Sequence, residues 1–130
     1  MEDLIIGKTK YTVAVTFSAA SGQLEMEGSS YPENAFEFFG PVFQWIRTYI
    51  EQTKQRIELT LKFDYLNTSS LKCIIDLFKI LESHVENQGE VIVKWYYEPD
   101  DEDMLESGKE IAEDVRVPIR FCAIEDVVDR

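Results

Sequence analysis

Apolar and polar residues alternate with a period of two in several short segments of this chain. Such alternation is typical of β-strands with one buried face. A Gly-containing turn at residues 19–22 joins two of these segments into a β-hairpin. The predicted strands are residues 4–6, 12–18, 23–28, 57–63, 90–97 and 117–123.

Between these strands, apolar residues recur at the spacing of α-helices. The first helix follows Asn34 and runs to about Lys54, and the second begins after the hydroxyl residues at 68–70 and stops near Asn87. A third, shorter helix ends near Asp114. The predicted core positions are Phe36, Phe39, Phe43, Ile46 and Ile50 in the first helix and Leu71, Ile74, Ile75, Phe78, Leu81 and Val85 in the second.

The order of these elements predicts an α/β fold. Strands separated by helices favour parallel, right-handed crossovers, and the N-terminal hairpin adds an antiparallel part. One set of strand side chains is apolar and the other is mixed, so we expect helices to cover one sheet face and leave the other open. The prediction is a two-layer mixed β-sheet, an N-terminal hairpin plus βαβαβ, with three helices mainly on one face and a single domain over residues 1–130.

The first helix has a second apolar stripe and an internal proline. The stripe either packs against the neighbouring helix or forms an exposed aromatic patch that binds a partner. Pro41 lacks the N–H that would reach the carbonyl four residues earlier, which predicts a kink or a restart of the helix. The second stripe consists of Phe38, Val42, Trp45 and Tyr49.

Composition narrows the classes of partner. The 130 residues are 45% hydrophobic and carry 13 basic against 25 acidic side chains, a net charge of −12. This charge disfavours nucleic acids and anionic membranes. We expect a cytoplasmic protein, since the sequence shows no membrane-spanning run or basic signal region, and reduced, buried thiols at Cys73 and Cys122.

The sequence gives little support for catalysis. His84 is the only histidine and lies late in the second helix, where it serves the helix dipole more often than chemistry. The acidic segment 98–103 fails the EF-hand pattern, because the sixth and twelfth residues counted from Asp101 are Glu106 and Ala112. We interpret this segment as a cap for the third helix, with an acidic docking surface as the alternative. No catalytic residues, metal ligands or cofactors are predicted.

The most informative segment is residues 63–72, where a strand runs into three consecutive hydroxyl residues that open the second helix. Unpaired N–H groups at a helix start favour negative charge, so a phosphoryl group there would be tolerated. The alternative is structural, because Asn67, Thr68 or Ser69 could each cap the helix. The residues alone leave both functions open.

Whole segments of the chain resemble the SiaC family of bacterial regulatory phosphoproteins. The resemblance rests on Ser-Tyr-Pro-Glu-Asn-Ala at 30–35, on residues 38–46, on Tyr-Leu-Asn-Thr-Ser-Ser at 65–70, and on residues 101–108. It implies phosphorylation of Thr68 by a SiaB-type protein kinase and dephosphorylation by a SiaA-type PP2C-like phosphatase. It further implies that the unphosphorylated form activates a SiaD-type diguanylate cyclase, which raises cyclic di-GMP and favours aggregation and biofilm.

The family's phospho-switch also resembles STAS-class proteins, which carry a phosphorylatable hydroxyl at a similar strand-to-helix junction. An anti-sigma-factor antagonist of that class is therefore an alternative function, and a small enzyme with an acidic site around residues 98–103 is a more distant one. We expect a partner to dock on the surface around Thr68. The predicted contacts are Leu66, Asn67, Ser69, Ser70 and Lys72.

Overall fold

Six strands form one mixed sheet whose order across the sheet equals their order along the chain. The computed structural model describes residues 1–125. The strands are β1 (Leu4–Ile6), β2 (Ala14–Phe17), β3 (Gln23–Ser30), β4 (Ile57–Leu66), β5 (Val91–Tyr97) and β6 (Ile119–Ala123). The helices are α1 (Ala35–Gln52), α2 (Thr68–Glu86) and α3 (Glu102–Asp114).

The first three strands pair antiparallel and the last four pair parallel. Each parallel connection contains one helix and joins neighbouring strands, so crossovers of one hand put all three helices on the same sheet face. The predicted two-layer α/β architecture is confirmed, including the short strand β1. The element ends differ from the prediction by about two residues, as is usual where apolar patterns fade into turns.

The core lies between the helices and one face of the sheet. In β4 and β5 the buried residues alternate with half-exposed ones, as the sequence pattern predicts. The opposite face carries charged pairs such as the ammonium of Lys94 and the carboxylate of Glu58, 2.8 Å apart. The hydrogen bond from Lys94 is the main reason why the pKa of Glu58 lies below its usual value. This face is therefore polar and largely open.

Helix α1 buries Phe39 and Ile46 of the predicted core stripe, but its buried side extends beyond that stripe. Val42, Trp45 and Tyr49 of the second stripe are buried, whereas Phe36, a predicted core residue, is 53% exposed. Trp45 packs on Phe17 of β2 and its indole N–H donates to the carbonyl of Glu2 at 2.8 Å. The second stripe therefore faces the sheet and the N-terminal segment, and the hypothesis that it forms an exposed aromatic patch is wrong.

The predicted restart at Pro41 is also wrong, because α1 is continuous from Ala35 to Gln52. Pro41 lies in the second turn on the exposed side of the helix, and Glu37, whose carbonyl loses its donor, is exposed as well. Water can satisfy that carbonyl, so the missing hydrogen bond does not break the helix.

Candidate functional site

The junction between β4 and α2 consists of a single residue, Asn67. Its backbone is extended, and its side-chain oxygen accepts a hydrogen bond from the N–H of Ser70 at 2.8 Å. Asn67 is therefore the N-cap of α2, and Thr68 is the first residue inside the helix. Thr68 is exposed. The structure thus assigns the cap to Asn67 and leaves the Thr68 hydroxyl at the surface beside a helix N-terminus.

A second set of hydrogen bonds ties this junction to the end of β3. The backbone N–H of Asn67 donates to the carbonyl of Ser30 at 2.9 Å. The hydroxyls of Ser30 and Ser70 are 2.7 Å apart, and both side chains are completely buried. Buried polar groups need such partners, so this pair fixes the start of α2 against the sheet. Ser30 lies 40 residues from Ser70, so the sequence pattern alone does not predict that the two hydroxyls meet.

The predicted docking residues do not all share one environment. Ser69 and Lys72 are exposed beside Thr68, and Leu66 and Asn67 are half-buried. Ser70 is fully buried and its hydroxyl is hydrogen-bonded to that of Ser30. It therefore offers no surface to a partner in this conformation. The partner contact of Ser70 stays a prediction, and in this conformation its side chain holds the junction in place.

Three tyrosines for which the sequence pattern predicts no role border the same edge of the sheet. Tyr31 lies between Tyr11 and Tyr65, with ring centroids 5.2 and 5.9 Å apart and the rings edge to face. Tyr11 and Tyr65 are 51% and 54% exposed. Since the three residues are distant in sequence, only the fold brings them together. They place aromatic surface next to the Thr68 junction.

An irregularity in β4 helps to expose Tyr65. Gly28 pairs with Phe63 but Ser29 pairs with Tyr65, so Asp64 is an extra residue on β4. Such bulges bend a strand and redirect its side chains. Asp64 and Tyr65 are both exposed just before the junction.

The acidic segment before α3 supplies the cap of that helix. The carboxylate of Asp101 accepts from the N–H of Met104 at 3.1 Å, and Glu102 and Asp103 lie in the first turn. The predicted capping role is confirmed. Within residues 1–125, no three His, Cys, Asp or Glu side chains are close enough together to hold a metal ion.

The remaining candidate side chains lie away from the junction. His84 is buried near the end of α2 with its ring against Gly89, and its Nε2 has no hydrogen-bond partner within the described residues. Cys73 is buried, which raises the pKa of its thiol, whereas Cys122 is only half-buried. The prediction of a buried thiol is confirmed for Cys73 and is wrong for Cys122. None of the helices in residues 1–125 is long and apolar enough to span a bilayer.

Comparison with known proteins points to one family. The model of the "SiaC family regulatory phosphoprotein" matches residues 6–124. An uncharacterized protein of Pseudomonas aeruginosa strain UCBPP-PA14 is 35% identical over 126 residues, which cover 97% of this chain and 100% of the relative.

Solved structures of Pseudomonas aeruginosa proteins share the fold. The crystal structure of apo-SiaC is 36% identical and superposes with a TM-score of 0.88 over 95% of this chain and 100% of the other. A chain in the crystal structure of diguanylate cyclase SiaD in complex with its activator SiaC is 35% identical, with a TM-score of 0.90, and the match covers 94% of this chain and 100% of that one.

Proposed function

The chain belongs to the SiaC family of regulatory phosphoproteins, and from this membership we propose that its unphosphorylated form binds and activates a diguanylate cyclase. The support is the similarity to SiaC, which the crystal structure contains as the activator of the cyclase SiaD. Activation would raise cyclic di-GMP and favour aggregation and biofilm. The protein would act in the cytoplasm as a single regulatory domain and as a binding partner rather than an enzyme.

Phosphorylation of Thr68 is the proposed control. The observation that carries this proposal is that Thr68 is exposed while Asn67 makes the cap bond of α2. A phosphoryl group adds about −1.5 to −2 charge and three acceptor oxygens, and the N–H groups of a helix start tolerate them. A SiaB-type kinase would add this group and a SiaA-type PP2C-like phosphatase would remove it.

The proposed docking surface surrounds Thr68 and includes Leu66, Asn67, Ser69 and Lys72. Three of these side chains lie on the first turn of α2 or directly before it, and Lys72 follows one turn after Thr68. A partner that covers them must remove water from Thr68. A doubly charged phosphate is costly to desolvate, so phosphorylation would release the partner.

The test uses a lysate of the native host with Mg-ATP, followed by intact-mass and fragment analysis of the recovered protein. We expect one phosphoryl group on Thr68, none on Thr68→Ala, and unchanged labelling of the matched variant Ser69→Ala. Modification at another residue, or none, would contradict the switch.

A second assay tests activation itself. The purified SiaD-type cyclase of the same genome is mixed with each form, and cyclic di-GMP production is measured. Wild type and Thr68→Ala should stimulate the cyclase, and phosphorylated wild type should not. Equal stimulation by phosphorylated and unphosphorylated protein would refute the proposed control by Thr68.

A further inference from the structure

Helices α2 and α3 lie side by side on the sheet but leave a groove between them. α1 packs along α2, whereas α2 and α3 make few contacts with each other. The groove contains two adjoining cavities of about 180 and 400 Å³. Leu71 and Ser107 line both of them. We call them together the α2/α3 groove. At the end of the groove beside the start of α2, the lining includes Leu66 and Leu71, which flank Thr68.

The spacing of residues along both walls shows that the groove follows the helix axes. Thr68, Leu71, Ile75 and Lys79 lie at i, i+3, i+7 and i+11 of α2, spacings that return to one side of a helix. On α3, lining residues lie at i, i+4, i+7 and i+11 between Asp103 and Asp114, which is also one side of a helix. Eleven residues at 1.5 Å each give a length of about 16 Å, roughly three helical turns. Thr68 is therefore in line with the α2 wall, at one end of the groove.

The floor of the groove is apolar, and the acidic residues that border it lie mainly on the α3 side. The acidic lining residues lie on α3, before it or in β4, whereas Lys79, the one basic lining residue among residues 1–125, lies on α2. Apolar surface bordered by charge of one sign is typical of a binding groove. The apolar lining residues are Tyr65, Leu66, Leu71, Ile75, Met104, Ile111 and Val115, and the acidic ones are Asp64, Asp101, Asp103, Glu110 and Asp114.

We propose that the α2/α3 groove binds an amphipathic helix of the protein partner, with its apolar face on the floor and basic side chains toward α3. This inference rests on the proposed function and names the surface and the partner chemistry that it requires. Helix-in-groove recognition needs apolar anchors over two to three turns, which the length of the groove matches. A phosphate on Thr68 would lie beside the end of the groove that Leu66 and Leu71 line, and the incoming apolar face would have to desolvate it.

The first experiment reverses the charge of the α3 wall. The double variant Glu110→Lys/Asp114→Lys alters exposed residues that line the groove. Its matched control, Glu106→Lys/Glu113→Lys, makes the same change of net charge at exposed α3 positions outside the groove lining. Calorimetric titration with the purified SiaD-type cyclase should show a Kd raised about tenfold or more by the groove variant and nearly unchanged in the control.

The second experiment alters the apolar floor with an equally matched control. Ile75 lines the groove, and Ile80, on the same helix and also half-buried, does not. Ile75→Gln should weaken cyclase binding about tenfold more than Ile80→Gln does. Circular dichroism melting of both variants separates a loss of binding from a loss of folding.

The outcomes separate the two proposals. If wild-type protein activates the cyclase and both groove variants bind as tightly as their controls, the groove proposal is overturned and the proposed function stands. If the unphosphorylated wild type neither binds nor activates the cyclase, the proposed function fails and the groove proposal fails with it. Selective weakening of both groove variants supports the groove.

Discussion

The buried pair of Ser30 and Ser70 explains how the start of α2, with the proposed phosphorylation site Thr68, keeps its position. Their hydroxyls are 2.7 Å apart, one at the end of β3 and the other in the first turn of α2. Since both are fully buried, neither can exchange its partner for bulk water. Two adjacent hydroxyl residues of α2, Ser69 and Ser70, therefore have different roles, one at the surface and one in the interior.

A double-mutant cycle tests this pair. Ser70→Ala leaves the hydroxyl of Ser30 buried without its partner, so we expect the free energy of unfolding to fall by about 1–3 kcal/mol. The double variant Ser30→Ala/Ser70→Ala removes both polar groups and should lose less than the sum of the single variants. Urea unfolding of the four proteins measures the coupling, and strictly additive losses would show that the bond does not contribute.

At the level of elements, α2 combines a structural cap with an exposed neighbour. Three residue types at 67–69 can all cap a helix, so the sequence could not decide which one does. The decision depends on the backbone, because Asn67 has the extended conformation of an N-cap and Thr68 is already helical. Asn67 therefore caps the helix, and the side chain of Thr68 is left free for the proposed phosphorylation.

Two substitutions distinguish the capping residue Asn67 from the proposed phosphorylation site Thr68. Asn67→Ala removes the acceptor for the N–H of Ser70 and should reduce stability by about 1 kcal/mol. Thr68→Ala removes an exposed side chain and should change stability by less than about 0.5 kcal/mol. Thermal unfolding measures both. A larger loss for Thr68→Ala than for Asn67→Ala would mean that Thr68 has a structural role.

Some features of the strands and helices follow from the local sequence pattern, and others depend on tertiary contacts. The two-residue period of β4 gave its buried face, because strand geometry fixes the alternation. The buried side of α1 was harder to predict, because it includes members of both apolar stripes and Trp45 of the second stripe also bonds the distant N-terminal segment. The bulge at Asp64 has no local signature, since it depends on the pairing of β4 with β3.

For the whole molecule, some residues of the candidate site lie in one continuous segment and others are far from it in the sequence. Thr68 and its neighbours were predicted from one continuous segment and from the family resemblance. Other parts of the chain supply Ser30, the two tyrosines Tyr11 and Tyr31 that accompany Tyr65, and the α3 wall of the groove. The tertiary fold brings them to the carboxyl ends of β3 and β4 and to the space between α2 and α3.

The charge of the whole molecule leads to a prediction about association kinetics. The net charge is −12, and five acidic residues line the α2/α3 groove. A partner helix with basic side chains should therefore be steered to this side, and salt should screen the attraction. We expect the association rate with the SiaD-type cyclase to fall about tenfold or more between roughly 50 and 500 mM NaCl, as measured by stopped flow.

The two charge-reversal variants provide the control, since both have the same net charge. Glu110→Lys/Asp114→Lys should reduce the salt dependence of the association rate more than Glu106→Lys/Glu113→Lys does. A rate that rises with salt would mean that the partner surface is acidic and would exclude the basic helix as the occupant.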